Sequence, residues 1–401
     1  MKYYLLLLAF VLTATLNAQN ITGRVIDAQT GAPVASAHIS IVQTGLGTIS
    51  NQEGFFSIKL PELKEMIRLN ISHIAYASQE VQVTLEGALE VSLEPDFTSL
   101  DEVVVKSSAG TMAKDIYKKL KGAADQSQFG RAFYRQISMK DTLPTEWVES
   151  FINLSYAPTG LHEMAVQQAR VAETRSRNKE DFHLSFVNFT YLSFIPLYRG
   201  EVSAVATPFS TFFDQYNFYI EEEYLKGNDT VVKLMFNPDD AVDAYAKAYG
   251  WVLYNQSQQK LLQMTLIMDT DLGMQIDDSN LEVEAYLKDS QYQFEFEFNP
   301  TGDNLPEVVK VSYTAAMQYG EQLSDMTTQS TLIVHEPETK KHRKLYKPSI
   351  DTNFYKEFRE AKYRPAFWRE NPVIQRTAEE ERIIQTLEAA GAFGTYFKGK
   401  R

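Results

Sequence analysis

The chain reads as mostly β: a small seven-stranded sandwich, then a larger β-rich α+β unit with an antiparallel sheet and a C-terminal helix. Three observations predict this. Residues 20–95 hold about seven short alternating runs separated by turn residues. Gln291-Tyr-Gln-Phe-Glu-Phe-Glu-Phe298 keeps period 2 without a break, so one face is apolar and aromatic and the other polar. Thr377-Ala-Glu-Glu380 is a capping box, followed by an apolar stripe of Ile383, Ile384 and Leu387.

Residues 1–18 read as an export signal. Lys2 precedes an apolar run from Tyr3 to Leu12, and Ala18 offers a small residue before Gln19. The run is short for a spanning helix. There is no cysteine, which removes disulfides, zinc–thiolate sites, thiol nucleophiles and a lipid-modified N-terminal cysteine. Losing the leader removes only Lys2 from the basic residues. That leaves 38 of them against 52 acids, a net charge of −14. Such a balance disfavours nucleic acid and anionic lipid surfaces as partners.

The sandwich is expected at 20–95. Thr22 to Ile26 alternates. Asp27 and Thr30-Gly31 then form a turn, in which the Asp side chain can accept from backbone amides and Gly31 can take positive φ. Val34, Ala37, Ile39 and Ile41 mark the next segment, and Thr48 to Gly54 turns into Phe55-Phe56-Ser-Ile58. Ile67, Leu69 and Ile71 alternate, as do Val81 and Val83, and then Leu89, Val91 and Leu93.

The run Gly23-Arg-Val-Ile-Asp27, Thr30-Gly-Ala-Pro-Val34, Ala37-His-Ile-Ser-Ile41, Thr48-Ile-Ser-Asn51, Gly54-Phe-Phe56 resembles the carboxypeptidase regulatory-like domain family. That resemblance implies a transthyretin-like sandwich. Such domains lie beside metallocarboxypeptidases and at the start of many TonB-dependent outer-membrane receptors, where they are non-catalytic accessories. Leu100-Asp-Glu-Val-Val-Val105, within a linker expected at 96–109, resembles the short strand that joins this domain to its C-terminal neighbour in envelope proteins. The remainder, 110–401, resembles uncharacterised Gram-negative envelope proteins that carry the same N-terminal domain.

Met112, Ala113, Ile116, Tyr117, Leu120 and Ala124 recur at helical spacing, so 110–125 is an expected amphipathic helix. Strands are expected at 133–139, 147–156, 231–236, 250–254, 261–268, 281–287, 292–298, 308–313 and 330–334. Asn237-Pro238 followed by Ala241, Val242, Tyr245, Ala248 and Gly250 suggests a short helix with a Pro start and a Gly stop. Tyr363 to Ile374 suggests an extended latch anchored by Trp368. Charged outward faces such as Glu295, Glu297 and Lys310 argue against a lipid-facing barrel.

No catalytic constellation emerges. His335-Glu336-Pro337-Glu338 is broken by proline and reads as a solvent-exposed turn rather than a zinc site. His38 and His73 read as surface or packed sandwich residues. Acidic pairs such as Asp239-Asp240 and Asp277-Asp278 lack calcium-loop spacing. No catalytic, cofactor-binding or metal residue is therefore assigned, and no cofactor is expected. The densest unexplained feature is aromatic. Residues 182–224 hold Phe194, Tyr198, Phe209, Phe212, Phe213, Tyr216 and Phe218 among others, either as ordinary core or as an apolar ligand or partner surface.

These features lead to the expectation of a non-enzymatic binding or accessory protein, exported to the periplasm or the periplasmic face of the outer membrane. The sandwich would be its spacer or interaction module, and its partner an envelope protein or an apolar ligand. The alternatives are a carrier of lipid or lipoprotein and a hydrolase of peptide or glycan.

Overall fold

The computed structural model describes residues 20–60, 66–83, 88–99, 108–173, 186, 196–201, 203–270, 274–276, 284–299, 305–349, 352–361, 364–371, 373–389 and 391–393. The expected leader, 1–18, lies outside the described residues, as do Tyr363 and most of the expected linker.

Seven strands form the sandwich: β1 (Asn20–Asp27), β2 (His38–Ile41), β3 (Gly47–Ile49), β4 (Phe55–Lys59), β5 (Arg68–His73), β6 (Tyr76–Gln82) and β7 (Leu89–Leu93). One sheet has the order β4-β1-β7 and the other β3-β2-β5-β6. Their inward residues, among them Val25, Ile39, Ile41, Phe56, Leu69 and Ile71, make one fully buried cluster. The expected turn is present. Asp27 Oδ1 accepts from the Gln29 and Thr30 amides at 2.8 Å each, and Gly31 has φ +71°.

A two-residue strand, β8 (Thr98–Ser99), leads to α1 (Ala109–Gly122), which Ser108 caps. The remaining strands are β9 (Gln128–Lys140), β10 (Leu143–Ala157), β11 (Gly160–Glu173), β12 (Val205–Ala206), β13 (Tyr216–Lys226), β14 (Asp229–Pro238), β15 (Ala246–Asn255), β16 (Lys260–Thr270), β17 (Met274–Ile276), β18 (Ala285–Phe298), β19 (Pro306–Tyr319) and β20 (Gln322–Glu338). They pair in the order β11-β10-β9-β20-β19-β18-β16-β15-β14-β13-β8, with β12 beside β15 and β17 beside β18. Among the described residues three helices follow β20: α2 (Phe354–Glu360), α3 (Pro365–Glu370) and α4 (Ala378–Ala389).

Helix α1 forces this sheet to curl. Laid flat, the nine gaps from β11 to β13 would span ~43 Å, whereas a 14-residue helix is ~21 Å long. Yet Ala124, just past the helix, accepts from Thr159 Oγ1 of the β10–β11 turn at 2.9 Å. Tyr117 meets Phe213, just before β13, at a ring separation of 4.9 Å. Both ends of the sheet therefore wrap toward one helix. Met112, Ile116 and Leu120 pack inside with Tyr134, Val148, Leu234, Val252, Phe294, Phe296 and Val311.

Two expectations need correction. Residues 237–250 form no helix: β14 runs through Pro238 and β15 starts at Ala246. Ala246 and Ala248 point inward at period 2, which outweighs the weak helical spacing. Gly250 is a close-approach position rather than a helix stop, because a Cβ there would lie 2.1 Å from Thr265 O. The Trp368 segment is also not wholly extended. Pro365 opens a short helix, α3.

The outer face of the sheet is covered as well. Register places Arg170, Glu149, Arg135, Thr331, Lys310 and Glu295 in one cross-strand row. Glu149 is 1% exposed; its Oε1 accepts from Arg135 Nε at 2.8 Å and its Oε2 from Arg170 Nε at 2.6 Å. Burial alone would raise its pKa. The charges of Arg170, Arg135 and Arg376 outweigh that and hold it at about 2. The C-terminal segment seals this row. Arg135 Nη2 donates to Ile374 O at 2.9 Å, and the Arg170 guanidinium lies 4.7 Å from the Trp368 ring. The capping box forms reciprocally, with Thr377 N to Glu380 Oε2 at 2.8 Å and Glu380 N to Thr377 Oγ1 at 3.1 Å. It directs Ile383, Ile384 and Leu387 onto Trp147 and Ala172.

The sandwich docks beside this segment on the same outer face. His38 bridges Glu297 Oε2 at 3.0 Å and Glu307 Oε2 at 3.3 Å. Lys310 donates to Ser36 Oγ at 2.6 Å and pairs with Glu297. Lys226 donates to the carbonyls of His73 and Ile74 at 2.9 and 2.7 Å. Ile49 packs on Phe133, Val308 and Ile333.

Glu149→Ala removes the carboxylate shared by two buried guanidiniums, leaving Arg135 only its 3.3 Å pair with Glu380, and should cost ~3–5 kcal/mol in denaturant unfolding. Because the native carboxyl titrates below its unfolded value, this contribution is present above pH ~4.5 and is lost as pH falls toward 2. His38 behaves oppositely. Burial opposes its protonation, but Glu297 and Glu307 raise its pKa to about 9. Its contribution is fully present below pH ~6.5 and disappears as pH rises through 9. The melting temperature should fall between pH ~7 and pH ~10, and His38→Gln should flatten that fall.

Candidate functional site

Where the sandwich, the outer face of the sheet and the C-terminal segment meet, they leave a cleft of about 700 Å³. Its floor is built by β9, β10, β11 and β20. Phe151 and Asn153 project from β10 on the same face as Glu149, two and four residues along. Arg131 projects from β9 opposite Asn153.

Two β-bulges shape the floor. In β11, Ile152 faces Val166 while Phe151 faces Gln168, so Gln167 is the extra residue. In β20, Val334 faces Ala132 while Glu336 faces Arg131, so His335 is the extra residue. Each bulge puts two consecutive polar residues, Gln167-Gln168 and His335-Glu336, along the cleft. Without the slips, one member of each pair would turn into the apolar interior.

The sandwich supplies one wall through Leu46, Gly47, Ser57, Lys59 and Leu60, and the C-terminal segment supplies Phe367, Asn371 and Val373. Phe151 stands nearly perpendicular to Phe367 at 5.1 Å and to His335 at 5.9 Å. Asn371 ties the rim together, accepting from Lys59 Nζ at 2.9 Å and donating to Phe367 O at 2.8 Å. Arg131 pairs with Glu336 at 3.0 Å and Glu338 at 3.3 Å, and His342 pairs with Glu338. Burial, aided by the charge of Arg131, lowers the His335 pKa to about 4, so its ring is neutral near pH ~7. Gln168 Oε1 and His335 Nε2 have no hydrogen-bond partner among the described residues. Nor, among those residues, do three His, Asp or Glu side chains converge as a metal site would require.

A second groove, of about 630 Å³, runs on the other side of residues 374–377, over Gln293, Glu295, Ser312 and Gln329. Its polar floor carries no aromatic ring, so the first cleft better fits a binding site with an apolar wall and a few placed polar groups.

The aromatic residues singled out from the sequence lie elsewhere. Phe209 is fully buried, and Tyr198 and Tyr216 are each 7% exposed. Phe212, Phe213 and Phe218 pack against the same inner core. Tyr216 OH shares its one proton between the carbonyls of Ala206 and Ala248, at 3.0 and 2.8 Å. The structure brings these six together around Tyr117 and Phe236 as core. Phe194 lies outside the described residues. His335 is not in an exposed turn: β20 continues past it to Glu338. The cleft residues were missed because only pairing reveals a bulge. The one sequence signal was the break in period at Gln167-Gln168, where Met164 and Val166 give way to Ala169 and Val171.

Comparison with known proteins bears on the sandwich. Residues 21–105 match the family described as CarboxypepD_reg-like domain. TonB-dependent receptor P3 of Formosa agariphila is 26% identical over 107 residues, covering 26% of this chain and 10% of the receptor. TonB-dependent receptor P39 of the same organism is 31% identical over 90 residues, covering 22% of this chain and 8% of the receptor. The chain thus spans a tenth or less of either relative. Among solved structures, a protein of unknown function from Bacteroides fragilis NCTC 9343 aligns over 80% of this chain and 97% of its own. That alignment has 9% identity and a TM-score of 0.16, too loose to inform the fold. The sandwich that walls the cleft is therefore a CarboxypepD_reg-like domain, and the four strands that floor the cleft lie outside the matched residues.

Proposed function

We propose that this chain is a non-catalytic, envelope-associated binding protein whose ligand seats in the cleft between the sandwich and the sheet. The observation that carries this reading is the pair of bulges converging on one cleft, with Phe151 and Phe367 beside the polar side chains. A domain boundary, mixed walls and a volume of this size are the usual attributes of a ligand site. The cleft carboxylate Glu336 is engaged by Arg131, which favours binding over proton transfer.

Placement at the envelope rests on two supports: the leader-like residues 1–18 and the relation of the sandwich to proteins named TonB-dependent receptors. On this reading the protein works in the periplasm or on the periplasmic face of the outer membrane. The sandwich then acts as one jaw of the site, which is a closer role than that of a spacer.

Crystals soaked with a fragment library should show fragments gathered between Phe151 and Phe367. Gln167→Trp, on the exposed rim, should block that occupancy without lowering the unfolding midpoint. Fragments clustering elsewhere, with the cleft empty, would contradict the assignment.

A further inference from the structure

We infer that the cleft takes a neutral, hydroxyl-rich saccharide, a ligand class that rests on the binding reading of the same cleft. Four carboxamides line it: Asn153, Gln167, Gln168 and Asn371. A carboxamide presents donor and acceptor in one plane, and a sugar hydroxyl also donates and accepts, so the two match in kind; Asn371 is already tied to Lys59 and Phe367 O, which leaves Asn153, Gln167 and Gln168 as the amides for a ligand. Phe151 and Phe367 present two rings at 81° to each other, a surface on which the apolar C–H face of a pyranose can be buried.

The charge pattern points the same way. Arg131 pairs with Glu336 and Glu338, and Lys59 is tethered to the neutral Asn371, so two cations stand beside two carboxylates with no excess of either sign to hold an ionic ligand. An alkyl chain would cover the carboxamides without bonding them, at ~1–3 kcal/mol for each group left unsatisfied.

The test is calorimetric titration of the full-length chain with short neutral oligomers of glucose, mannose, xylose and N-acetylglucosamine. Uronate oligomers and extended apolar peptides serve as comparison ligands. At least one neutral oligomer should bind. Gln168→Ala and Phe367→Ala should each weaken it by about tenfold, the loss expected for a hydrogen bond or an apolar face, while Gln168→Ala keeps the wild-type urea midpoint. Three results overturn the inference: no binding by any neutral oligomer, binding that both variants leave unchanged, or a preference for uronates or peptides. If fragments fill the cleft but neutral oligomers do not bind, the ligand class alone fails. If the cleft stays empty in both experiments, the site fails with it.

Discussion

Both faces of the large sheet carry groups that must be buried, and that constraint governs the rest of the molecule. Its inner face carries Leu234, Val252, Phe294 and Phe296 and is filled by α1 and the aromatic residues before β13. Its outer face carries Phe133, Trp147 and Ile333 beside the buried Arg170–Glu149–Arg135 row. Charges at such depth persist only when paired and bonded throughout. The C-terminal segment completes that pairing through Ile374 O and Glu380. The tail is thus held by electrostatic demand at one end and by the apolar stripe of α4 at the other.

The cleft is a consequence of covering one convex face with two separate bodies. The sandwich takes the side of the face near β18 and β19, and α3 and α4 take the side near β9 to β11. Their borders cannot close over a curved surface, so space remains between them, floored by the sheet. The bulges at Gln167 and His335 fall on that floor, where a break in the ladder re-aims side chains instead of weakening a core. The domain attached at the N terminus is therefore part of the site's geometry.

Local chemistry was legible in the sequence, and long-range pairing was not. The Asp27 turn, the Thr377 capping box, the period of 291–298 and the stripe of α4 each depend on residues a few positions apart, and each stands as read. The Arg135–Glu149–Arg170 row depends on the register of three strands, which no residue declares alone. Gly250 looked like a helix stop because the carbonyl of Thr265, which excludes its Cβ, belongs to the next strand. The aromatics between 198 and 218 carried a strong compositional signal, yet composition does not tell a filled core from an open groove. The cleft residues carried a weak one, since four amides scattered along the chain from Asn153 to Asn371 become a set only after folding.

The central claim is that the sandwich is fixed on the convex face and forms one wall of the cleft. Because the chain has no cysteine, two can be introduced for spin labels without background. Exposed Thr30 on the sandwich and Glu321 at the β19–β20 turn are suitable sites. A double electron–electron resonance measurement between them should give one narrow distance distribution at neutral pH. A broad distribution, as from a domain on a flexible tether, would contradict the account.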